Sequence, residues 1–137
     1  MDNDRVKHSI SVARHMVEIG KSYNLSNEEL EELFVLGLNH DIGYEFCDGR
    51  EHNVVGGNIL KRSNYKYWRE VYYHGVVQEE YSSLYLKILN TADMQVDKYG
   101  NVVGFEERLK DIKSRYGEDS VVYKRCVLLI EFIKSEV

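Results

Sequence analysis

The stretch Leu33-Phe34-Val35-Leu36-Gly37-Leu38-Asn39-His40-Asp41-Ile42-Gly43 decides how the rest of the chain is read. Its apolar run has helical character and gives way to a glycine, so His40 and Asp41 mark the buried end of a helix. An imidazole beside a carboxylate is a ready pair of metal ligands; ordinary helix-terminal hydrogen bonding is the plainer alternative. Neutral imidazole is a borderline ligand and carboxylate a hard one, so a mixed set suits iron, manganese, cobalt or zinc rather than calcium. A carboxylate has two oxygens, which allows Asp41 to bridge two metals.

Outward from that segment the chain reads as successive helices. Val6, Ile10, Ala13, Val17 and Gly20 recur at three- and four-residue steps and predict an amphipathic helix over 4–22, with His8 close to its buried stripe. Ser26 or Asn27, followed by acidic residues, predicts the N-cap of a second helix running to about His40. Gly43 and Cys47-Asp48-Gly49-Arg50 read as a loop. A third helix is predicted from Glu51 or His52 to Lys61, and a fourth from Tyr67 to Tyr73 with His74-Gly75 at its end. The longest apolar-periodic segment, Ser82 to Val96, carries Asp93. Tyr99-Gly100-Asn101 reads as a turn, and two helices over 105–116 and 119–135, with Gly117 as a C-cap between them, close the chain. There is no internal repeat and no low-complexity linker.

The chain has 137 residues, which predicts a single domain over 1–137 with a real core. It contains no proline, which favours long uninterrupted helices, and the expected fold class is an all-α bundle of about six or seven helices. The net charge of -5 argues against a general nucleic-acid binder. It does not exclude a phosphate substrate, because bound divalent cations supply local positive charge. Cys47 and Cys126 are too few for a disulfide scaffold and lack zinc-knuckle spacing. Neither a signal-peptide core nor an apolar run of 18 residues is present, so no membrane is expected and a reducing cytoplasm is the default compartment.

His8, His40-Asp41, His52, His74 and Asp93 follow one another in the order His, His-Asp, His, His, Asp. In that order, and each in a fitting local context, they resemble the HD superfamily of metal-dependent phosphohydrolases, most clearly over residues 5–98. The resemblance implies a helical bundle completed by the helices of 105–135. It implies a mononuclear ligand set of His8, His40, Asp41 and Asp93, the last in an Ala-Asp dipeptide as in the family. His52, opening a His-x-x-x-Gly step, and His74, in Tyr73-His74-Gly75, match the residues that complete a second metal site in two-metal members, with Asp41 bridging. The alternative for these two is a pair of surface loop histidines. His15 matches nothing in the family pattern and is taken as structural or exposed.

Departures from the family pattern narrow the function. Many members follow His-Asp-Ile-Gly with a phosphate-contacting Lys; here the position is Tyr44, expected at the mouth of the metal pocket as a substrate contact. Cyclic dinucleotide phosphodiesterases of the HD-GYP branch use that Lys, a paired His-His step and a Gly-Tyr-Pro loop, all absent here. Nucleotidase-type members carry a Glu three residues after the Asp, whereas Glu45 lies one position further on. Lys61, Arg62, Lys66 and Arg69 read as a solvated basic face, with the border of a phosphate site as the alternative, and Arg108 as a partner for a Glu, with a turn toward substrate as the alternative. The eleven tyrosines include Tyr44, Tyr72, Tyr73 and Tyr99 as candidates to line a base-stacking pocket, although most such residues pack in the core.

The expected activity is hydrolysis of a phosphate ester or anhydride in a small, nucleotide-like molecule by a metal-activated water, with Asp41 as the central catalytic residue and one or two divalent transition metals per chain. The rivals are a diiron oxygenase built on the same six ligands and a degenerate module that binds metal or nucleotide without turnover. The oligomeric state is left open.

Overall fold

The computed structural model describes residues 2–47 and 51–136. Among these, seven α-helices follow one another: α1 Asn3–Ser22, α2 Asn27–Asn39, α3 His52–Arg62, α4 Trp68–Tyr73, α5 Leu84–Asp93, α6 Phe105–Tyr116 and α7 Val121–Ser135, with a short 3-10 helix at Ile42–Glu45. The all-α expectation holds. Asp48, Gly49 and Arg50, part of the expected loop, lie outside the described residues.

The helix ends follow from local chemistry. Ser26 accepts from the Glu29 N–H while the Glu29 side chain accepts from the Ser26 N–H, a capping box that starts α2. Helices α1 and α3 stop the same way. Asn24 and Asn64 adopt left-handed backbone, φ 58° and 62°, and the next residues, Leu25 and Tyr65, donate back to the carbonyls of Gly20 and Leu60. Asparagine tolerates that conformation, and the five-residue return bond satisfies an end carbonyl of each helix.

The main core is built from one stripe of each of the first five helices: Val12 and Met16, Leu33 and Leu36, Leu60, Val71, and Ile88, Leu89 and Ala92, joined by Val96. Each fully buried Leu or Ile contributes roughly 1.5–3 kcal/mol from apolar burial. Helix α1 lies against α2 and α5, and α3 against α4 and the 3-10 helix. A second cluster, Met94, Ile112, Cys126, Leu129, Ile130 and Ile133, fastens α6 and α7 to the end of α5.

Two glycines set the distances that matter for the site. A Cβ on Gly37 would lie 2.5 Å from Ala13 Cα, so this glycine lets α2 approach α1. A Cβ on Gly43 would fall on the carbonyl oxygen of His52, so the 3-10 helix rests directly on the start of α3.

Two elements differ from expectation. Gly43 belongs to a 3-10 helix rather than a loop, closed by Tyr44 N–H to Asp41 O at 3.1 Å and Phe46 N–H to Gly43 O at 3.0 Å. Four residues are too few to show an apolar period. Helix α5 ends at Asp93, not Val96. Beyond it the backbone turns extended and Val96 bridges Val102, with Val103 N–H donating to Gln95 O at 2.7 Å. Val96 remains fully buried, so the apolar pattern outlasts the helix. No helix among the described residues is long and apolar enough to cross a membrane.

Candidate metal centre

The structure brings the six ordered residues together, and five of them lie at helix ends. His8 alone sits inside a helix, one turn into α1. His40 caps the C-terminus of α2 and Asp41 follows it; His52 opens α3; His74 caps α4; Asp93 is the last residue of α5. Three helix C-termini therefore converge on one point. The negative ends of their dipoles favour a cation there.

Asp41 divides the site. Its Oδ2 lies 3.3 Å from His40 Nε2 and 3.7 Å from His8 Nε2. Asp93 Oδ1 closes this side, 2.8 Å from His8 Nε2 and 3.5 Å from His40 Nε2. On the other side, Asp41 Oδ1 lies 3.2 Å from His52 Nε2 and 3.6 Å from His74 Nε2, and those two nitrogens are 3.3 Å apart. Ligand atoms about 2.1 Å from a common ion stand roughly 3.0–3.4 Å from one another in octahedral or tetrahedral geometry. The spacings on both sides of Asp41 cluster around that range. His52 is the most open member, with 24% of its side chain exposed against 0% for His40.

Outer contacts on three of the four rings turn Nε2 inward. His8 Nδ1–H donates to Asp97 O at 3.0 Å, His40 Nδ1–H to Gly37 O at 2.7 Å and His74 Nδ1–H to Val71 O at 2.6 Å. A carbonyl only accepts, so each bond fixes the proton on Nδ1 and leaves the Nε2 lone pair of the neutral ring toward the centre. Nε2 of His40 is buried without a hydrogen-bond partner: its neighbouring carboxylate oxygens are near but misaligned. An orphaned buried nitrogen of this kind is costly unless a ligand completes it. These residues fit a metal ion.

Electrostatics agree. Burial opposes charge on His40 more than any other influence, yet Asp41 and Asp93 together hold its imidazolium well above the usual range. Burial likewise pushes Asp41 upward, but His40, His52 and His74 outweigh it and hold the carboxyl well below its ordinary value. Asp93 behaves the same way beside His40 and His8, whereas burial lowers His74. Two ionised carboxylates buried among imidazoles are a cation-seeking arrangement, with a proton serving where a metal is absent.

Tyr44 lies on the His52 side. Its ring stacks on the His52 imidazole, centroids 4.2 Å apart and planes 24° apart. Burial, then the Asp41 charge, push its phenol up to about 12, so it stays protonated. Of the other tyrosine candidates, Tyr72 packs over Gly57 and beside Trp68, Tyr73 stacks on Tyr81, and Tyr99 is exposed.

Several remaining expectations are settled by position. His15 bonds Gln95 Oε1 at 2.7 Å, a structural role. Lys61 and Arg69 lie over Trp68 and Lys66 over Tyr67, all three on an exposed face. Arg108 corrects its expectation: it is buried and pairs with aspartates rather than a Glu. Its Nε donates to the backbone carbonyl of Asp93 at 3.2 Å and its Nη1 reaches Asp111 at 3.5 Å. It thereby braces the end of α5 where Asp93 projects. Sequence reasoning passed over two residues. Arg5 places its guanidinium over Tyr44; its spacing of three from His8, on the same helix face, was the available signal. Glu70 is buried and accepts from Tyr81 and Ser83, a contact no local pattern announces.

Comparison with curated proteins and with solved structures yields no match. The family model described as HD domain matches residues 5–129, beyond the span 5–98 over which the resemblance is clearest and into α7. With the match spanning six motif residues gathered around Asp41 and the helices that enclose them, the chain belongs to the HD-domain family.

Proposed function

We propose that this protein is a two-metal phosphohydrolase acting on a phosphate ester or anhydride of a small, nucleotide-like molecule. The HD-domain superfamily is one of metal-dependent phosphohydrolases, and a buried His/Asp cluster able to hold metal is present. The observation that carries the two-metal proposal is the division of Asp41, one oxygen facing His8 and His40 and the other facing His52 and His74.

His8, His40, Asp41 and Asp93 would hold one ion, and Asp41, His52 and His74 the other. A bound divalent metal supplies a water acidic enough to ionise near neutral pH and a Lewis acid for a phosphoryl oxygen. The chain's own residues do the rest. The Nδ1 bonds to backbone carbonyls keep the imidazoles oriented, so little rearrangement accompanies reaction. Asp41 and Asp93 bring two negative charges, which leaves a pair of divalent ions with positive charge to spare for phosphate. Tyr44, protonated at neutral pH, offers a hydroxyl donor on the more open side. It takes the position of the family's Lys without its charge, which suits a substrate whose phosphate is neutralised by two metals.

The test combines metal analysis of protein purified without added salts with turnover on a panel of nucleotides, phosphate monoesters and cyclic dinucleotides. Two equivalents of metal per chain and hydrolysis of a nucleotide-type substrate, with cyclic dinucleotides left intact, are expected. Iron as the bound metal together with oxygen uptake would turn the assignment to an oxygenase. Full metal occupancy with inertness across the panel would turn it to a binding module.

A further inference from the structure

A second feature sits on the open side of the site. Arg5 lies one helical turn before His8, and its guanidinium carbon stands 3.3 Å from the centroid of the Tyr44 ring. The His52 imidazole stacks on that ring at 4.2 Å. Two planar groups cannot share one face of a ring at those distances, so Arg5 and His52 flank Tyr44 on opposite faces. The result is a three-layer stack, imidazole, phenol, guanidinium, that starts at a residue facing Asp41 and ends in a cation.

A guanidinium lying face-on against an aromatic ring keeps its N–H donors in its own plane, directed outward from the stack. Among the described residues, no carboxylate forms an ion pair with Arg5. Asp2, the N-cap of α1, spends Oδ1 on the Arg5 backbone N–H at 2.8 Å. Arg5 is half-buried, its orientation is set by its contacts with Tyr44, and among the described residues it has no ion-pair partner. That combination is unusual for a structural arginine and usual for one that receives an anion, because a planar fork held in place recognises phosphate oxygens two at a time.

We infer that Arg5 binds a second phosphoryl group, next to the one held at the metal centre, so that the preferred substrates carry two adjacent phosphates rather than one isolated monoester. This rests on the phosphohydrolase proposal above. The guanidinium stands two stacking steps beyond His52, farther than the oxygens of one phosphoryl group reach. One phosphate at the metals therefore leaves Arg5 unoccupied, and a diphosphate fills both positions. The cation missing at position 44 is supplied from α1, and Tyr44 serves as the platform that holds it.

The experiment uses two non-hydrolysable probes on the metal-loaded protein: methylenediphosphonate, with two phosphoryl-like groups, and methylphosphonate, with one. Binding is measured by titration calorimetry, and metal content is checked before and after. The unaltered protein should bind the diphosphonate more tightly. Arg5→Gln should lose at least about tenfold on the diphosphonate and less than about twofold on the monophosphonate, as expected for removing one charged hydrogen-bonding partner, with metal content unchanged. Arg5→Lys, which keeps the charge but not the planar stack, should fall between. Equal losses on both probes, or an unchanged diphosphonate affinity in Arg5→Gln, overturn the role of Arg5. If the monophosphonate binds and the diphosphonate binds no better, the Arg5 inference fails while the phosphohydrolase proposal stands. If neither binds the unaltered protein, both fail.

Discussion

The two halves of the site around Asp41 are built differently. The Oδ2 half takes His8 from within the 20-residue α1, His40 from the end of the 13-residue α2 and Asp93 from α5, all buried and enclosed by the main core. The Oδ1 half takes His52 and His74 from α3 and the six-residue α4, is braced by the 3-10 helix, and leaves His52 partly open beside Tyr44 and Arg5. One half is set by the core of the domain. The other is set by short elements leaning on one another. Under the two-metal proposal, the first half would hold its ion tightly and the second would adjust to and contact substrate.

Removing the residue that belongs to both halves should have the largest effect. Asp41→Ala should lose both metals and nearly all hydrolysis, well beyond the ~10- to 100-fold typical of losing an outer-sphere partner. His52→Ala should instead reduce the metal content from two to one per chain, with the His8 side retained. Elemental analysis of the two variants checks the contrast; equal stoichiometry in both would erase it.

Glycine substitutions probe the halves without touching a ligand. In Gly37→Ala the new Cβ meets Ala13 backbone and forces α1 from α2, where both are locked into the core. The expected cost is about 1–3 kcal/mol of global stability, the usual range for overpacking. In Gly43→Ala the new Cβ meets the His52 carbonyl, and the 3-10 helix and the start of α3 are freer to yield. Here the stability loss should be smaller, and the second metal should be lost preferentially. Urea unfolding of the metal-free proteins, paired with metal analysis, separates the two outcomes.

This difference also explains what the sequence made legible. The apolar stripes of α1, α2 and α5 are long enough to fix a helical period, so His8, His40 and Asp93 could be placed on buried faces from spacing alone. Ser26 and Gly117 marked helix ends through known capping chemistry. The Oδ1 half offered less. A four-residue 3-10 helix has no period, and the stacking of Tyr44 between His52 and Arg5 joins three segments distant in sequence. Arg108 was misassigned for the same reason: although Asp111 lies at helix spacing, its other partner, the carbonyl of Asp93, is fixed by tertiary packing. The division of Asp41 between two clusters depends on side-chain direction; the two oxygens of a carboxylate allowed it, and the family resemblance named the histidines on each side.

A smaller effect is expected from the phenol on the open half. Tyr44→Phe keeps the ring between His52 and Arg5 and removes only the hydroxyl. If that hydroxyl contacts substrate, turnover should fall by about 1 kcal/mol of transition-state stabilisation, the value of one neutral hydrogen bond, with metal content and stability unchanged. A loss of metal in this variant would show that the hydroxyl supports the site rather than the substrate.

The smallest effect belongs to a carboxylate that resembles the site acids only in type. Glu32 on α2 accepts from Tyr67 at 2.6 Å and Tyr85 at 2.9 Å, tying α2 to the start of α4 and to α5. Its partners are hydroxyls, with Lys66 at 4.0 Å, not imidazoles turned toward a shared centre. The Tyr67 hydroxyl, against the opposing effect of burial and with help from Tyr85 and Lys66, holds its carboxyl below the ordinary value. A depressed folded-state pKa means that the ionised form is favoured by folding. The stabilisation is present above the ordinary carboxylate range and is lost as pH falls through the folded-state value. Glu32→Gln removes the charge but keeps an acceptor for a tyrosine. It should therefore be slightly less stable than the unaltered protein at pH 7, by well under ~1 kcal/mol because the side chain is partly solvated. That difference should shrink as the pH drops below about 4. Paired urea unfolding curves in chelator at the two pH values give the comparison, since protonation of the metal ligands acts on both proteins and cancels. A difference that grows on acidification would mean that Glu32 is protonated in the folded state and that the tyrosine contacts do not act through its charge.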